Sequence, residues 1–175
     1  YAAFGKLLRK DGCRLISSRE SISPEILQGV DIYVSVNAMH DPEHWDLPTG
    51  SAFSAQEIDA LCDWVASGGS LFLVTDHMPC GGSVAALAAR FGVNGINGFA
   101  LRLDGQRELF SKSNHMLRAN AITSAPGREV KSIMCWGGTG FVVPPNAEGI
   151  SRLGTDYRVY LPQRACQIKW PLADS

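Results

Sequence analysis

Asp76, His77 and Cys80 fall within five consecutive residues, where an uncharged apolar run, Leu71 to Val74, gives way to the glycine pair Gly81-Gly82. A carboxylate, an imidazole and a thiol are the components of a hydrolytic site: Asp76 and His77 can serve as acid and base, and an ionised Cys80 can attack a carbonyl. The stretch S-L-F-L-V-T-D-H-M-P-C-G-G (70–82) reads as a buried strand that ends at the rim of an α/β sheet, where ligands bind. Two features weaken Cys80 as a nucleophile. A strained cysteine elbow needs small residues on both sides, and Met78 stands two positions before it. The downstream His115 is followed by Met116-Leu117 and not by an acid two residues on. A structural Cys80 is therefore favoured.

A second polar segment, Asn37 to Trp45, follows the β-branched and aromatic run Asp31 to Val36 and is expected at the same rim. His40, Asp41, Glu43 and His44, joined by His77, supply oxygen and nitrogen donors for a divalent metal. The H-D-x-E-H spacing is not the helical H-E-x-x-H, and Pro42 opposes a helix there, so His40, His44 and His77 are weak metal candidates beside the plainer reading of a solvated loop. Gly81, Gly82 and Ser83 precede a helix and offer amides to an anion; Ser83 is equally explained as a cap. Asn37, His40, Gly81, Gly82 and Ser83 are the expected ligand-binding set. Gly137-Gly138-Thr139-Gly140 reads as a turn before it reads as a ligand loop, and Trp45, Trp64, Trp136 and Trp170 as core or edge packing.

The elements that must position these groups are legible from periodicity. Tyr1, Phe4, Leu7 and Leu8 recur at helical spacing and Gly12 suits the stop; Cys13 to Ser17 reads as a short strand; Ser23-Pro24 opens a short helix through Leu27. Ser54 with Glu57 fits a capping box, with Phe53 placed to staple onto Ile58, and Gly68-Gly69 end that helix. Ser83 to Arg90 is the next helix, with Val84, Leu87, Ala88 and Phe91 inward and Gly92 as its stop. This order predicts an α/β fold: a doubly wound, mostly parallel sheet with helices on both faces, flavodoxin-like, in a single domain over 1–175 whose first strand is missing or lies upstream of Tyr1. Beyond Gly92 the glycines multiply, and short strands are expected at Val130 to Trp136, Phe141 to Val143, Tyr157 to Leu161 and Ala165 to Trp170.

Composition sets outer bounds. Sixteen Lys and Arg against seventeen Asp and Glu give a net charge of -1, no footprint for nucleic acid. The apolar runs are strand-sized, so no membrane span is expected. Five scattered cysteines without a C-x-x-C pair argue against a disulfide framework and a zinc site. No cofactor is indicated. The expectation is a soluble chain, with the compartment open between the cytoplasm and export after removal of an upstream segment.

The runs F-S-A-Q-E-I-D-A-L-C-D-W-V-A-S-G-G-S-L-F-L-V-T-D-H-M-P and A-A-L-A-A-R-F-G-V resemble uncharacterised members of the class I glutamine-amidotransferase-like superfamily. The opening Y-A-A-F-G-K-L-L-R-K-D-G, I-T-S-A-P-G-R and G-G-T-G-F are similar to that group as well. The resemblance implies a flavodoxin-like sandwich, in members that have often lost the cysteine-histidine-glutamate triad. The expected function is thus a small-molecule or partner-binding domain without glutaminase activity. The alternatives are a hydrolase using Asp76 and His77 as acid and base with Cys80 as nucleophile, and a metal-dependent enzyme with a His/Asp rim.

Overall fold

A computed structural model of the chain describes residues 2–106, 108–135 and 137–167. Two regions with different construction follow one another. The first is α/β. Helix α1 (Ala2–Lys10) is followed by extended chain and by α2 (Pro24–Leu27), which Ser23 opens by accepting from the Ile26 N–H at 3.4 Å, with Pro24 in the first turn. Strand β1 (Ile32–Val36), α3 (Ala55–Ala66) and β2 (Ser70–Val74) come next, and β1 and β2 pair in parallel with Tyr33 beside Leu71 and Ser35 beside Leu73. The capping box is formed: the Ser54 hydroxyl accepts from the Glu57 N–H at 3.2 Å, and the Glu57 carboxylate accepts from the Ser54 N–H at 2.9 Å. Glu57 also accepts from the Ile22 N–H, so one side chain holds the helix start and the segment before α2. Gly68 ends the helix in the left-handed region at φ 106°.

Alternation along β1 and β2 sends Tyr33, Leu71 and Leu73 to one side, onto a core of Leu27, Phe53, Ile58, Leu61, Val84 and Leu87. Each fully buried Leu or Val contributes on the order of 1.5–3 kcal/mol relative to exposure. The other side stays open: Ile32 is 55% and Phe72 47% exposed, and α1, which buries no residue, touches this face through Phe4, its ring 6.2 Å from that of Phe72. The expectation of strands buried on both faces is met on one face only.

After β2 the chain turns through α4 (Cys80–Ser83), a short helix where a turn was expected, and α5 (Ala85–Arg90), which starts two residues after the expected Ser83, and stops at Gly92, φ 75°. Val84, Leu87 and Ala88 are buried and Phe91 packs on the same core, as the spacing predicts.

The second region is antiparallel. Strand β3 (Asn94–Gly95) pairs with β7 (Phe141–Val142), β4 (Phe99–Arg102) with β8 (Tyr157–Tyr160), and β5 (Glu108–Ser111) with β6 (Ser132–Cys135). Its apolar clusters are small: Met78, Phe99 and Leu101 in one, Phe110, Leu117 and Tyr157 in another.

This corrects the expected architecture. Among the described residues every sheet has two strands, one parallel and three antiparallel, and no doubly wound, flavodoxin-like parallel sheet is present. The cause lies in the connections. A parallel sheet grows by crossover helices, whereas after Gly92 the strands are two to four residues long and are joined by glycine turns and loops, which return the chain antiparallel. Cys13 to Ser17 forms no strand, and Ala165–Gln167 is a 3-10 turn. Tyr1, Trp136 and the 168–170 part of the last expected strand lie outside the described residues. No helix among the described residues is long and apolar enough to cross a membrane.

Candidate functional site

The turn after β2 and the loop after β1 meet, as their places at the ends of paired parallel strands require. Asn37 takes a left-handed conformation, φ 48°, and its N–H donates to the Val74 carbonyl at 2.9 Å, so the two strand ends stay in register as they leave the sheet. The His40 N–H then donates to the Ser83 hydroxyl at 3.4 Å and the Ala52 N–H to the Ser83 carbonyl at 2.8 Å, pinning the loop to α4. Ser83 is buried and acts as this tie, not as a helix cap.

Asp76 and His77 sit at the end of β2, where the turn meets this loop. One Asp76 carboxylate oxygen accepts from the His77 N–H at 2.8 Å; the other lies 4.0 Å from His77 Nε2, and the side chain is 42% exposed. His77 Nδ1 is 2.7 Å from the Met78 carbonyl oxygen. A carbonyl only accepts, so Nδ1 carries a proton and donates it. The imidazole is stacked on Phe99, centroids 4.8 Å apart and 19° between planes, and the Trp45 ring tilts over it at 6.1 Å. Trp45 is held by its own Nε1–H, which donates to the Pro42 carbonyl at 2.8 Å, while its ring remains 43% exposed.

Below them, Met78 is completely buried against Phe99 and Leu101, its N–H donates to the Gly98 carbonyl at 3.0 Å, and a cis peptide joins it to Pro79. Cys80 is buried too, and burial first and the Asp76 charge second push its thiol above the ordinary cysteine range. A thiol held protonated is a poor nucleophile.

The amides expected to cradle an anion are already engaged. The Cys80 N–H donates to the His77 carbonyl at 3.0 Å, that of Gly82 to Asn97 Oδ1 at 3.0 Å and that of Ser83 to the Pro79 carbonyl at 2.9 Å, with Gly81 on the His77 carbonyl at 3.5 Å. The glycines have a packing reason instead. A Cβ on Gly82 would lie 2.4 Å from the Asn97 side-chain nitrogen, and one on Gly81 would lie 3.3 Å from the Ile96 carbonyl oxygen. Asn97 itself bridges to the Thr49 hydroxyl at 2.9 Å, closing the crevice from behind.

The metal candidates do not assemble. His40 Nδ1 donates to the Ser51 carbonyl at 3.0 Å, its ring lying where a Gly50 Cβ would be. His44 is exposed on the loop. Among the described residues no three His, Cys, Asp or Glu side chains are placed to hold a metal ion.

Trp45, Phe99, Asn97 and Thr49 complete the crevice and were not in the expected site. Trp45 alone had a signal, an aromatic ring at the end of the polar loop. A further polar group was also invisible in sequence: Glu108 on β5 is buried beside Tyr157, whose hydroxyl finds no hydrogen-bond partner among the described residues. Burial, opposed by Arg102, pushes the Glu108 carboxyl up; burial and then Glu108 push up the Tyr157 phenol. Two open grooves lie elsewhere, about 490 Å³ lined in part by Arg102, His115 and Arg152, and about 600 Å³ lined in part by Leu27, Ala60 and Trp64.

With this geometry in place, the chain can be set beside known proteins. It is similar in fold to the mmIFT52 N-terminal domain. The TM-score is 0.65 at 18% sequence identity, over 89% of this chain and 66% of that one, so this chain spans just under two thirds of its neighbour's length. No family model matches, and no curated protein does. The resemblance to the glutamine-amidotransferase-like superfamily is therefore corrected: the likeness found is to the mmIFT52 domain, and the described residues form no flavodoxin-like sheet of the kind the superfamily implied.

Proposed function

We propose that this domain binds a small-molecule or protein partner in the crevice between the 37–45 loop and the 76–83 turn, and carries out no covalent chemistry there. One observation carries this reading: the groups that could react are engaged in building the crevice. Cys80 is buried with its thiol pushed up, and the amides of residues 80–83 are hydrogen-bonded within the chain. What faces outward is the Trp45 ring and one carboxylate oxygen of Asp76, surfaces suited to recognition.

The hydrolase alternative requires an accessible thiolate at Cys80, which makes thiol labelling decisive. At neutral pH a maleimide read by peptide mass spectrometry is expected to modify the exposed Cys13 and Cys166 first. Cys80 should react only as the fold opens, and Cys80→Ala should leave the remaining labelling pattern unchanged. Labelling of native Cys80 as fast as that of Cys13 would overturn the binding-only reading and restore the nucleophile.

A further inference from the structure

We propose that the crevice recognises a cationic side chain, a lysine or arginine of a basic peptide segment, laid against the Trp45 ring with its charge toward Asp76. The inference rests on the binding reading above and adds the chemistry of the partner.

Three observations combine. First, an aromatic surface is built and fixed. Trp45 is anchored through its Nε1–H to the Pro42 carbonyl and stays 43% exposed. His77 and Phe99 stack behind it and hold the ring's neighbour in place. A tryptophan face attracts ammonium and guanidinium groups through its quadrupole. Second, a carboxylate approaches the same imidazole that the Trp45 ring approaches. Asp76 uses one oxygen to accept from the His77 N–H and leaves the other 4.0 Å from His77 Nε2 in a half-exposed side chain.

Third, the segment that supplies the loop and the turn is acidic in its balance. Residues 22–99 carry one arginine and no lysine against nine aspartates and glutamates, whereas residues 100–175 carry ten basic against six acidic residues. Arg90, the one cation of the first set, is already paired with Asp59 at 2.6 Å on the outer face of α3. Asp41, Glu43 and Asp46 lie on the same loop as Trp45. The chain's own Arg164 stands 4.0 Å from Asp46, a guanidinium already drawn to this loop. Acidic side chains on this loop and at Asp76 have a positively charged partner as their complement.

The test uses the 175-residue chain and an N-acetylated, C-amidated hexapeptide bearing three arginines, followed by calorimetry and by tryptophan fluorescence. Saturable binding is expected, weakening as salt rises. Trp45→Ala should lower affinity about three- to tenfold and Asp76→Asn about two- to fivefold. Both variants are checked for an unchanged thermal midpoint; Trp45→Phe, which keeps a ring, should recover part of the loss. Replacement of the three arginines by glutamate should abolish binding. Arginine-peptide affinity unchanged in Trp45→Ala, or no binding of the arginine peptide at all, overturns the cationic assignment. If neutral or acidic peptides instead bind with a Trp45-dependent signal, the cationic assignment falls while the crevice remains a binding site. Fast Cys80 labelling, by contrast, fails the binding-only reading itself.

Discussion

The two halves of this chain are built by different rules. From Ser23 to Gly92, local signals and packing agree: caps at Ser23 and Ser54, glycine stops at Gly68 and Gly92, and one core in which Leu27, Leu61 and Leu87 are almost wholly buried. From Val93 onward, strands of two to four residues are paired across long separations, Phe99 with Tyr160 and Glu108 with Cys135, over smaller clusters that include a buried carboxyl and phenol. Stability in the first half comes from apolar area; in the second it depends on ladder hydrogen bonds and on polar groups in poorly hydrated places. The crevice lies at the seam. The first half supplies Asp76, His77 and the 37–45 loop, and the second supplies Phe99 and Asn97, which stack on His77 and hold Gly82.

The contrast can be broken by truncating one core residue on each side. Leu61→Ala is expected to cost about 2–5 kcal/mol in urea denaturation, the range for a wholly buried leucine that leaves a cavity. Leu101→Ala, in the three-residue cluster with Met78 and Phe99, should cost clearly less. Equal losses would mean that the second half is as well packed as the first.

A smaller effect sharpens the same contrast from the polar side. Burial raises the Glu108 carboxyl above its ordinary value, so the folded state holds that proton more tightly than the unfolded chain does. The stability this group contributes is then complete below the unfolded value, about 4.3, and is lost as pH rises through the higher folded value. Glu108→Gln keeps an acceptor for the Gly137 N–H and cannot ionise. Measured by denaturation at stepped pH, the wild type should lose stability relative to the variant on going from acid to neutral conditions, with no further divergence above that window. Parallel curves would place Glu108 in better solvation than its burial implies.

What was legible in the sequence follows from this difference. Ser54 and Glu57, Pro24 after Ser23, and the apolar spacing of Ile58, Leu61, Val84 and Leu87 act over a few residues, and their structural outcomes can be read from those residues alone. The meeting of the loops after β1 and β2 followed from expecting both strands in a parallel arrangement, and these two do pair in parallel. The partners of β4, β5 and β7 were not, because a two- to four-residue strand carries too little alternation to specify a neighbour some 25 to 60 residues away. The expected doubly wound sheet failed because, among the described residues, only β1 and β2 pair in parallel and the short strands expected beyond Gly92 pair with one another without extending that sheet. Within the proposed crevice, residue types at the strand end did not disclose how the fold uses them. Cys80 looked like a nucleophile because burial cannot be read from C-G-G, and Gly81-Gly82 looked like an anion cradle because Asn97, 15 residues on, fills it. Trp45 looked like packing because only the fold brings it over His77.

Nitrogen-15 NMR of the His77 imidazole tests most directly whether the 76–83 turn is a fixed wall of a binding crevice. Its Nδ1 is predicted to carry a proton that exchanges slowly and is bonded to the Met78 carbonyl, and no Nδ1-deprotonated form should be populated in the neutral ring. A predominant Nε2-protonated tautomer, or an Nδ1 proton in fast exchange with solvent, would contradict the bond to the Met78 carbonyl and with it the fixed wall.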